Sequence, residues 1–357
     1  MSIAHRLLLG TFMRYLGYAI LGAVVLFTLV DVFERVGSFV DNHATASQVL
    51  RYYAYRAVWT IDLVLPIAML MATLFAIGGM ARYLELTALF SSGHSLLQVA
   101  RPLLLVSVAA ALLSLAWREY VLSEAVVRMD HIWEVEIHGR PDRLRPTQDI
   151  AILGSDQRFY YARRYDPNAE LVTGLKVVSM QDAQVVERID AARAEWTGSH
   201  WVLHDGSHRR FSGDGEAISR FERLPVSDLA LSPEVLSRDR VKPEDMNIRQ
   251  LLRHNRLVRQ TGGDATRGEV DVQFLLAFPL VNVLVVFMGT ILASGPRKTT
   301  VASGFGWTLL VSFGYYLFMN FGRALGHEGV LSPVVAGWSG NAAYAVLGMV
   351  LFLRARR

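Results

Sequence analysis

The 357 residues are 52% hydrophobic and 19% charged, with 36 Lys and Arg against 32 Asp and Glu, a net charge of +4 and no cysteine. That balance excludes a disulfide-stapled module and a cysteine-ligated metal centre. The charges fall almost entirely outside six long apolar runs, which excludes an ordinary soluble enzyme, and the basic residues cluster at the run ends, where retention at a membrane surface explains them better than nucleic acid does.

The runs are Tyr15 to Val30, Ala57 to Ala81 and Pro102 to Trp117, then Phe274 to Ala293, Val301 to Phe321 and Val334 to Leu353. Each approaches the roughly 20 apolar residues that cross a hydrocarbon core. Three spans, a large insert from about Glu119 to Asp271 and three more spans predict a six-helix membrane protein with one extramembrane module. Arg6, Arg14, Arg82, Arg101, Arg297, Lys298, Arg354, Arg356 and Arg357 fall on one side of that layout. Basic residues near span ends stay cytoplasmic, so both termini are expected inside the cell and the insert outside it. The first run is long and lacks a small-residue cleavage pattern before Asp31, so it is expected to remain as an anchor.

Asp62 and Pro66 interrupt the second run. A charge in hydrocarbon costs several kcal/mol unless paired or hydrated, which makes Asp62 a functional candidate; its place about one turn from the outer end equally allows simple anchoring at the interface. Between the second and third runs, Arg82-Tyr83-Leu84-Glu85-Leu86-Thr87-Ala88-Leu89-Phe90-Ser91-Ser92-Gly93-His94-Ser95 has apolar residues at helical spacing and a glycine where a helix would stop. A cytosolic connector and a docking helix both fit that pattern.

After Trp117 the helical pattern continues from Glu119 to Ile137 and ends near His138-Gly139-Arg140-Pro141. The period then changes to two. Short strands are predicted at Arg158 to Ala162, Gly174 to Ser179, Glu195 to Thr197 and His200 to His204, punctuated by Asp166-Pro167-Asn168, Gly198-Ser199 and Gly213-Asp214-Gly215. Many short strands imply a sandwich, jelly roll or open barrel, whose apolar face either fills a core or lines a groove for lipid chains. Met246 to Gln260 reads as an amphipathic basic helix closed by Gly262-Gly263, a lead-in to the fourth span lying at the interface.

Catalytic signatures are scarce. Gly295-Pro296-Arg297-Lys298-Thr299 lacks the glycine directly before lysine and the preceding strand of a phosphate loop, so no ATP site is expected. His200, His204 and His208 recur every four residues, but in a strand and turn context that does not align them on a metal. No catalytic residue, cofactor or metal is expected.

Glu85-Leu86, Ala88-Leu89 and Ser92-Gly93 resemble the coupling-helix motif of the LptF/LptG family of lipopolysaccharide export permeases. The resemblance covers nearly the whole chain, including Leu29-Val30-Asp31-Val32-Phe33-Glu34-Arg35-Val36-Gly37 at the first-span exit and Leu331-Ser332-Pro333 with Trp338 and Asn341 entering the last span. Two positions depart from the pattern: Gly340 stands where the family often has proline, and Glu34 lies beside Arg35 where members can be more basic. The first loop leans toward the LptG branch.

The resemblance implies a fold of six transmembrane helices plus an inserted periplasmic all-β, jelly-roll-like domain: 1–118 with a coupling helix about 82–98, then 119–271, then 272–357. It implies the non-catalytic permease subunit of an ABC-type transporter in the bacterial inner membrane, which extracts lipopolysaccharide from the outer leaflet. The partners implied are a paralogous permease, a cytoplasmic ABC ATPase dimer, a periplasmic β-jelly-roll bridge protein and its membrane-anchored relative. Glu85, Leu86, Ala88, Leu89 and Gly93 would meet the ATPase. Arg35, Arg128, Arg323 and Phe321 would face lipid at gates formed by the first and fifth spans. The alternative reading is a membrane-anchored sensor or scaffold with a periplasmic ligand-binding domain.

Overall fold

The computed structural model describes residues 3–139, 147–154, 156, 158–181, 184–212, 215–236, 245–260, 264–294 and 301–355. The phosphate-loop-like segment 295–299, the Gly262-Gly263 stop, the Gly213-Asp214 part of one turn, Arg140-Pro141, and Arg356 and Arg357 lie outside the described residues. The chain divides into two compact units, Met1–Met129 with Val270–Arg357, and Asp130–Glu269.

The first unit is helical. Among the described residues five helices are long and apolar enough to cross a membrane: Ile3–Asp41, Ala46–Arg82, Leu96–Ile137, Thr266–Ala293 and Pro333–Arg354. The run beginning at Val301 is also one helix, Val301–His327, 27 residues or about 40 Å long. It stands outside that set of five. In chain order the helices are α1 (Ile3–Asp41), α2 (Ala46–Arg82), α3 (Glu85–Ser91), α4 (Leu96–Trp117) and α5 (Ser123–His131). After the insert come α8 (Thr266–Ala277), α9 (Val281–Ala293), α10 (Val301–His327) and α11 (Pro333–Ala355). A π-helical turn at Arg118–Leu122 joins α4 to α5, and a second at Ile132–Ile137 ends the helix where the apolar pattern stops.

Local chemistry fixes the helix ends. Thr45 and Ser95 each begin a helix with a glutamine three residues on: the Gln48 and Gln98 side chains accept from the cap N–H at 2.8 and 2.9 Å, and the cap hydroxyls accept from the Gln48 and Gln98 N–H groups. These reciprocal bonds satisfy N–H groups that a helix start leaves orphaned. Thr45→Ala should cost about 1 kcal/mol of stability with no change in membrane insertion, measurable by thermal denaturation in detergent. Pro333 opens α11, a position where its missing N–H costs nothing.

The core lies along α2 and α9, whose close approach rests on a glycine: a Cβ on Gly289 would meet Leu70 Cδ1 at 2.9 Å. A 3-10 turn at Phe278–Leu280, containing Pro279, interrupts the fourth span and frees carbonyls. Asn341 answers one of them by donating to the Ala277 carbonyl at 2.8 Å, and Tyr315 donates to Asn341 Oδ1 at 2.8 Å. Unpaired backbone groups are costly in hydrocarbon, which gives this asparagine a structural reason for lying in the last span.

The second unit carries one six-stranded antiparallel sheet in the order β1-β2-β3-β4-β5-β6: Thr147–Leu153, Arg158–Asp166, Leu171–Gln181, Gln184–Trp196, Trp201–Ser212 and Gly215–Val226. The jelly-roll-like expectation resolves to an up-and-down meander in which every strand pairs with its neighbour in sequence. Ladder pairs are missing at the same level on all six strands, at Asp149, Arg163, Gly174, Ala192, Asp205 and Glu222. Gly174 (φ +68°) and Asp205 (φ +52°) take left-handed backbone there. The inward alternation changes parity across that line, Val172 before it and Leu175 and Val177 after it. The sheet thus bends along one row and keeps a single apolar face of Ile150, Tyr160, Val177, Ile189, Trp201 and Leu203 with their neighbours. Buried Trp201 donates its indole N–H to the Leu231 carbonyl, tying the following loop over that face. Two more helices belong to this unit, α6 (Pro233–Leu236) and α7 (Ile248–Gln260).

Candidate functional site

The segment between α2 and α4 folds as its pattern predicts. Leu84 adopts left-handed backbone (φ +63°) and turns the chain out of α2, a conformation rare for a bulky side chain. The 7-residue helix α3 follows. Gly93 (φ +88°) ends it: the Gly93 N–H bonds the Phe90 carbonyl at 2.9 Å and the His94 N–H bonds the Leu89 carbonyl at 3.1 Å. That pair of bonds is the Schellman stop that a glycine makes possible. Ser95 then caps α4.

Seven residues are too few for a helix to persist in water by itself, so α3 depends on packing. Leu86 is 3% exposed within the main core cluster, and Leu89, three residues on, packs against the same cluster. Glu85 and Ala88 face outward with Thr87 and Ser91. The predicted partner-binding residues therefore divide into two anchors, Leu86 and Leu89, two presented side chains, Glu85 and Ala88, and a backbone stop, Gly93. The sequence reading missed three apolar side chains beside them, Tyr83 at 73%, Leu84 at 66% and Phe90 at 39% exposed. The signal was available: apolar residues at the helix break have no core to enter.

The predicted lipid-facing arginines each hold a carboxylate already. Arg35 Nε donates to Asp31 Oδ1 at 3.1 Å, and Arg56 Nη2 donates to the same oxygen at 2.8 Å. Arg128 Nη2 pairs with Glu124 Oε1 at 2.5 Å and Nη1 donates to the Tyr55 hydroxyl at 3.3 Å. Arg323 Nε pairs with Asp271 Oδ1 at 2.7 Å, shares that oxygen with His327 at 2.8 Å and stacks over Phe274 at 5.0 Å. Phe321 is exposed on α10. Among the described residues the three arginines pair with different carboxylates, those of Asp31, Glu124 and Asp271, and Arg56 joins Arg35 on Asp31 Oδ1.

A sequence model of the lipopolysaccharide export system permease LptF/LptG family matches residues 6–354. The chain belongs to that family. It is 22% identical over 360 residues to the lipopolysaccharide export system permease protein LptG of Escherichia coli (strain K12), covering 97% of this chain and 98% of the relative. LptG of Haemophilus influenzae (strain ATCC 51907 / DSM 11121 / KW20 / Rd) is 21% identical over 330 residues, covering 87% of this chain and 89% of the relative. Both relatives bear the LptG name, the branch to which the first loop leans.

Within this LptF/LptG-family fold the intramembrane acid proves to be paired. Asp62 is 5% exposed, and Arg118, at the first residue of the π-helical turn, binds it through both Nη2 (2.6 Å) and Nε (3.2 Å). Ser114 donates to Asp62 Oδ1 at 3.3 Å, and the Arg118 guanidinium lies 4.1 Å over the Phe278 ring at the 3-10 turn. Tyr316 of α10 donates to the Leu63 carbonyl at 2.6 Å. A buried ion pair thus joins α2 to the turn that follows α4, with the 3-10 turn before α9 and helix α10 packed against it. Ser114 and Arg118, four apart at the end of the third run, were the sequence signal for a partner.

In the β unit, an open cleft of about 780 Å³ crosses the sheet at its bend, on the face opposite the apolar core. Arg163, Lys176, Asp190, Asp205, Arg220 and Glu222 are among its lining residues. Burial lowers the Lys176 ammonium pKa below the usual lysine range, helped by the nearby Arg188 charge. Mixed charge of this kind does not suit acyl chains. The three histidines have separate partners: His208 takes Glu187 at 2.6 Å, His204 lies 3.7 Å from Glu195, and His200 meets Thr197 and Ser199.

Proposed function

We propose that this chain is the permease subunit of an ABC-type transporter that extracts lipopolysaccharide from the outer leaflet of the inner membrane and passes it to a periplasmic bridge. A separate cytoplasmic ATPase dimer powers it, and a paralogous permease completes the cavity. Both termini and α3 lie in the cytoplasm, residues 119–271 form the periplasmic domain, and a β-jelly-roll bridge protein with its membrane-anchored relative receives the lipid. The observation carrying this reading is α3, a helix pinned by Leu86 and Leu89 and stopped by Gly93 that presents Glu85 and Ala88 outward. A connector needs no such anchoring; a docking tooth does.

The energetics ask for a motor and a covered route. At about 0.8 kcal/mol per CH₂, drawing one chain of roughly twelve carbons into water costs on the order of 10 kcal/mol. The apolar face of the bent sheet is filled by its own side chains and by Leu231 and Leu236 of the segment after β6, so a chain of this kind would enter it only by displacing that segment.

Glu85→Arg should abolish lipopolysaccharide export and reduce ATPase co-purification while the protein remains inserted, because an exposed position contributes only tenths of a kcal/mol to its own fold. Export at the normal rate by this variant would reject the reading.

A further inference from the structure

Helix α7 is strongly amphipathic, and on sequence alone its apolar side is available to the bilayer. The structure uses that side elsewhere. Leu251 and Val258 are buried, with Val258 and Leu257 packed against Ala151 of β1 and Tyr161 of β2, and with Ala265. Asn255 fills the space over Gly268, where a Cβ would come within 2.0 Å of its Oδ1. Arg259, in the last turn, pairs with Glu269 in the first turns of α8. The outward side carries Arg249, Arg253, Arg256 and Arg259, at spacings of four, three and three that align on one helix face. Among the described residues Arg253 and Arg256 form no ion pair, and both are exposed, as is the neighbouring Leu252.

Arg259, the last residue of the stripe, pairs with Glu269, which precedes Phe274, the first residue of the fourth apolar run, by five residues, about 7.5 Å of helix rise. A guanidinium that close to the run lies in the headgroup layer, where phosphates concentrate and each basic residue gains from the surface potential. We propose that the exposed face of α7 docks onto the phosphates of anionic phospholipids in the bilayer adjoining the fourth span. The arginines, and not the apolar side, make the contact. Bilayer phosphate fits better than the phosphate of a transported lipid: Ala151 and Tyr161 point to the sheet face opposite Ile150 and Tyr160, so acyl chains on the apolar face would hold their headgroup across the sheet from α7.

The test places a photo-crosslinking side chain at Leu252 of the full-length chain in nanodiscs, leaving every arginine intact. Phospholipid capture should be strong with phosphatidylglycerol mixed into phosphatidylcholine. It should fall several-fold in phosphatidylcholine alone and at 1 M salt, where the screening length shrinks to about 3 Å. Arg253→Glu with Arg256→Glu should remove capture, and Arg253→Lys with Arg256→Lys should keep it, a contrast that a folding defect would not produce. Capture indifferent to anionic lipid, to salt or to the glutamate pair overturns the proposal. So does preferential capture of added lipopolysaccharide over phosphatidylglycerol. The readout involves no ATPase and no export, so its failure leaves the transport reading standing, and the converse holds.

Discussion

Asp62→Leu is expected to destabilise the helical unit by about 3–5 kcal/mol, because it strands the Arg118 guanidinium in a low-dielectric bundle. Asp62 receives two charge-assisted bonds from Arg118 and one from Ser114, so the single substitution removes three hydrogen bonds at once. The double variant, Asp62→Leu with Arg118→Leu, should recover most of the loss. Removing both charges also removes the cost of desolvating them, and replacing a buried pair by apolar side chains is often neutral. Resistance to a harsh-detergent titration, compared across wild type, the two singles and the double, gives the interaction energy directly. Singles no weaker than the double would mean that water reaches the pair and that its burial is incomplete.

Gly206→Ala should unsettle the β unit by about 3 kcal/mol, at the upper end of what overpacking costs. A Cβ at this position would lie 2.2 Å from the Asp190 backbone oxygen and 2.4 Å from Phe221 Cζ. The phenyl ring can swing aside, but a backbone carbonyl held in the β4–β5 ladder cannot. The expected readout is protease cleavage of strands β4 to β6 in the intact chain at a concentration that leaves the wild type whole. Gly215→Ala offers a control, since nothing lies within 4 Å of a Cβ there, though its φ of +150° makes the comparison one of strain against clash. Unchanged protease resistance in Gly206→Ala would show that the sheet can relax at its bend.

The spans and α3 were legible because their signals are local. Apolar run length marks a crossing, and Gly93 marks a stop whatever surrounds it. The β unit was half legible. Strands with alternating apolar residues, such as Gly174 to Ser179, stood out. Gly215–Val226 did not, because as the last strand of the sheet, paired only with β5, it is exposed nearly throughout and carries charge at Glu216, Arg220, Glu222 and Arg223. Its hydrogen bonds to β5 make it a strand, and no residue pattern records them. The bend was hidden for the same reason, since a left-handed Asp205 leaves no compositional mark. At the candidate site, Glu85 could be chosen from its motif. The carboxylates that occupy Arg35, Arg128 and Arg323 required the tertiary structure, although two of them, Asp31 and Glu124, stand four residues before their arginines, within helical reach.

The anchoring of α3 has a mechanical consequence. A loop tethered at its two ends absorbs a displacement by rearranging torsions, and little reaches the elements it joins. A helix wedged by Leu86 and Leu89 into packing shared with α1, α2 and α4 has no such slack. A shove against its outer surface therefore arrives at the membrane helices as a rigid stroke, with both hinge points, Leu84 and Gly93, already committed to a single backbone geometry.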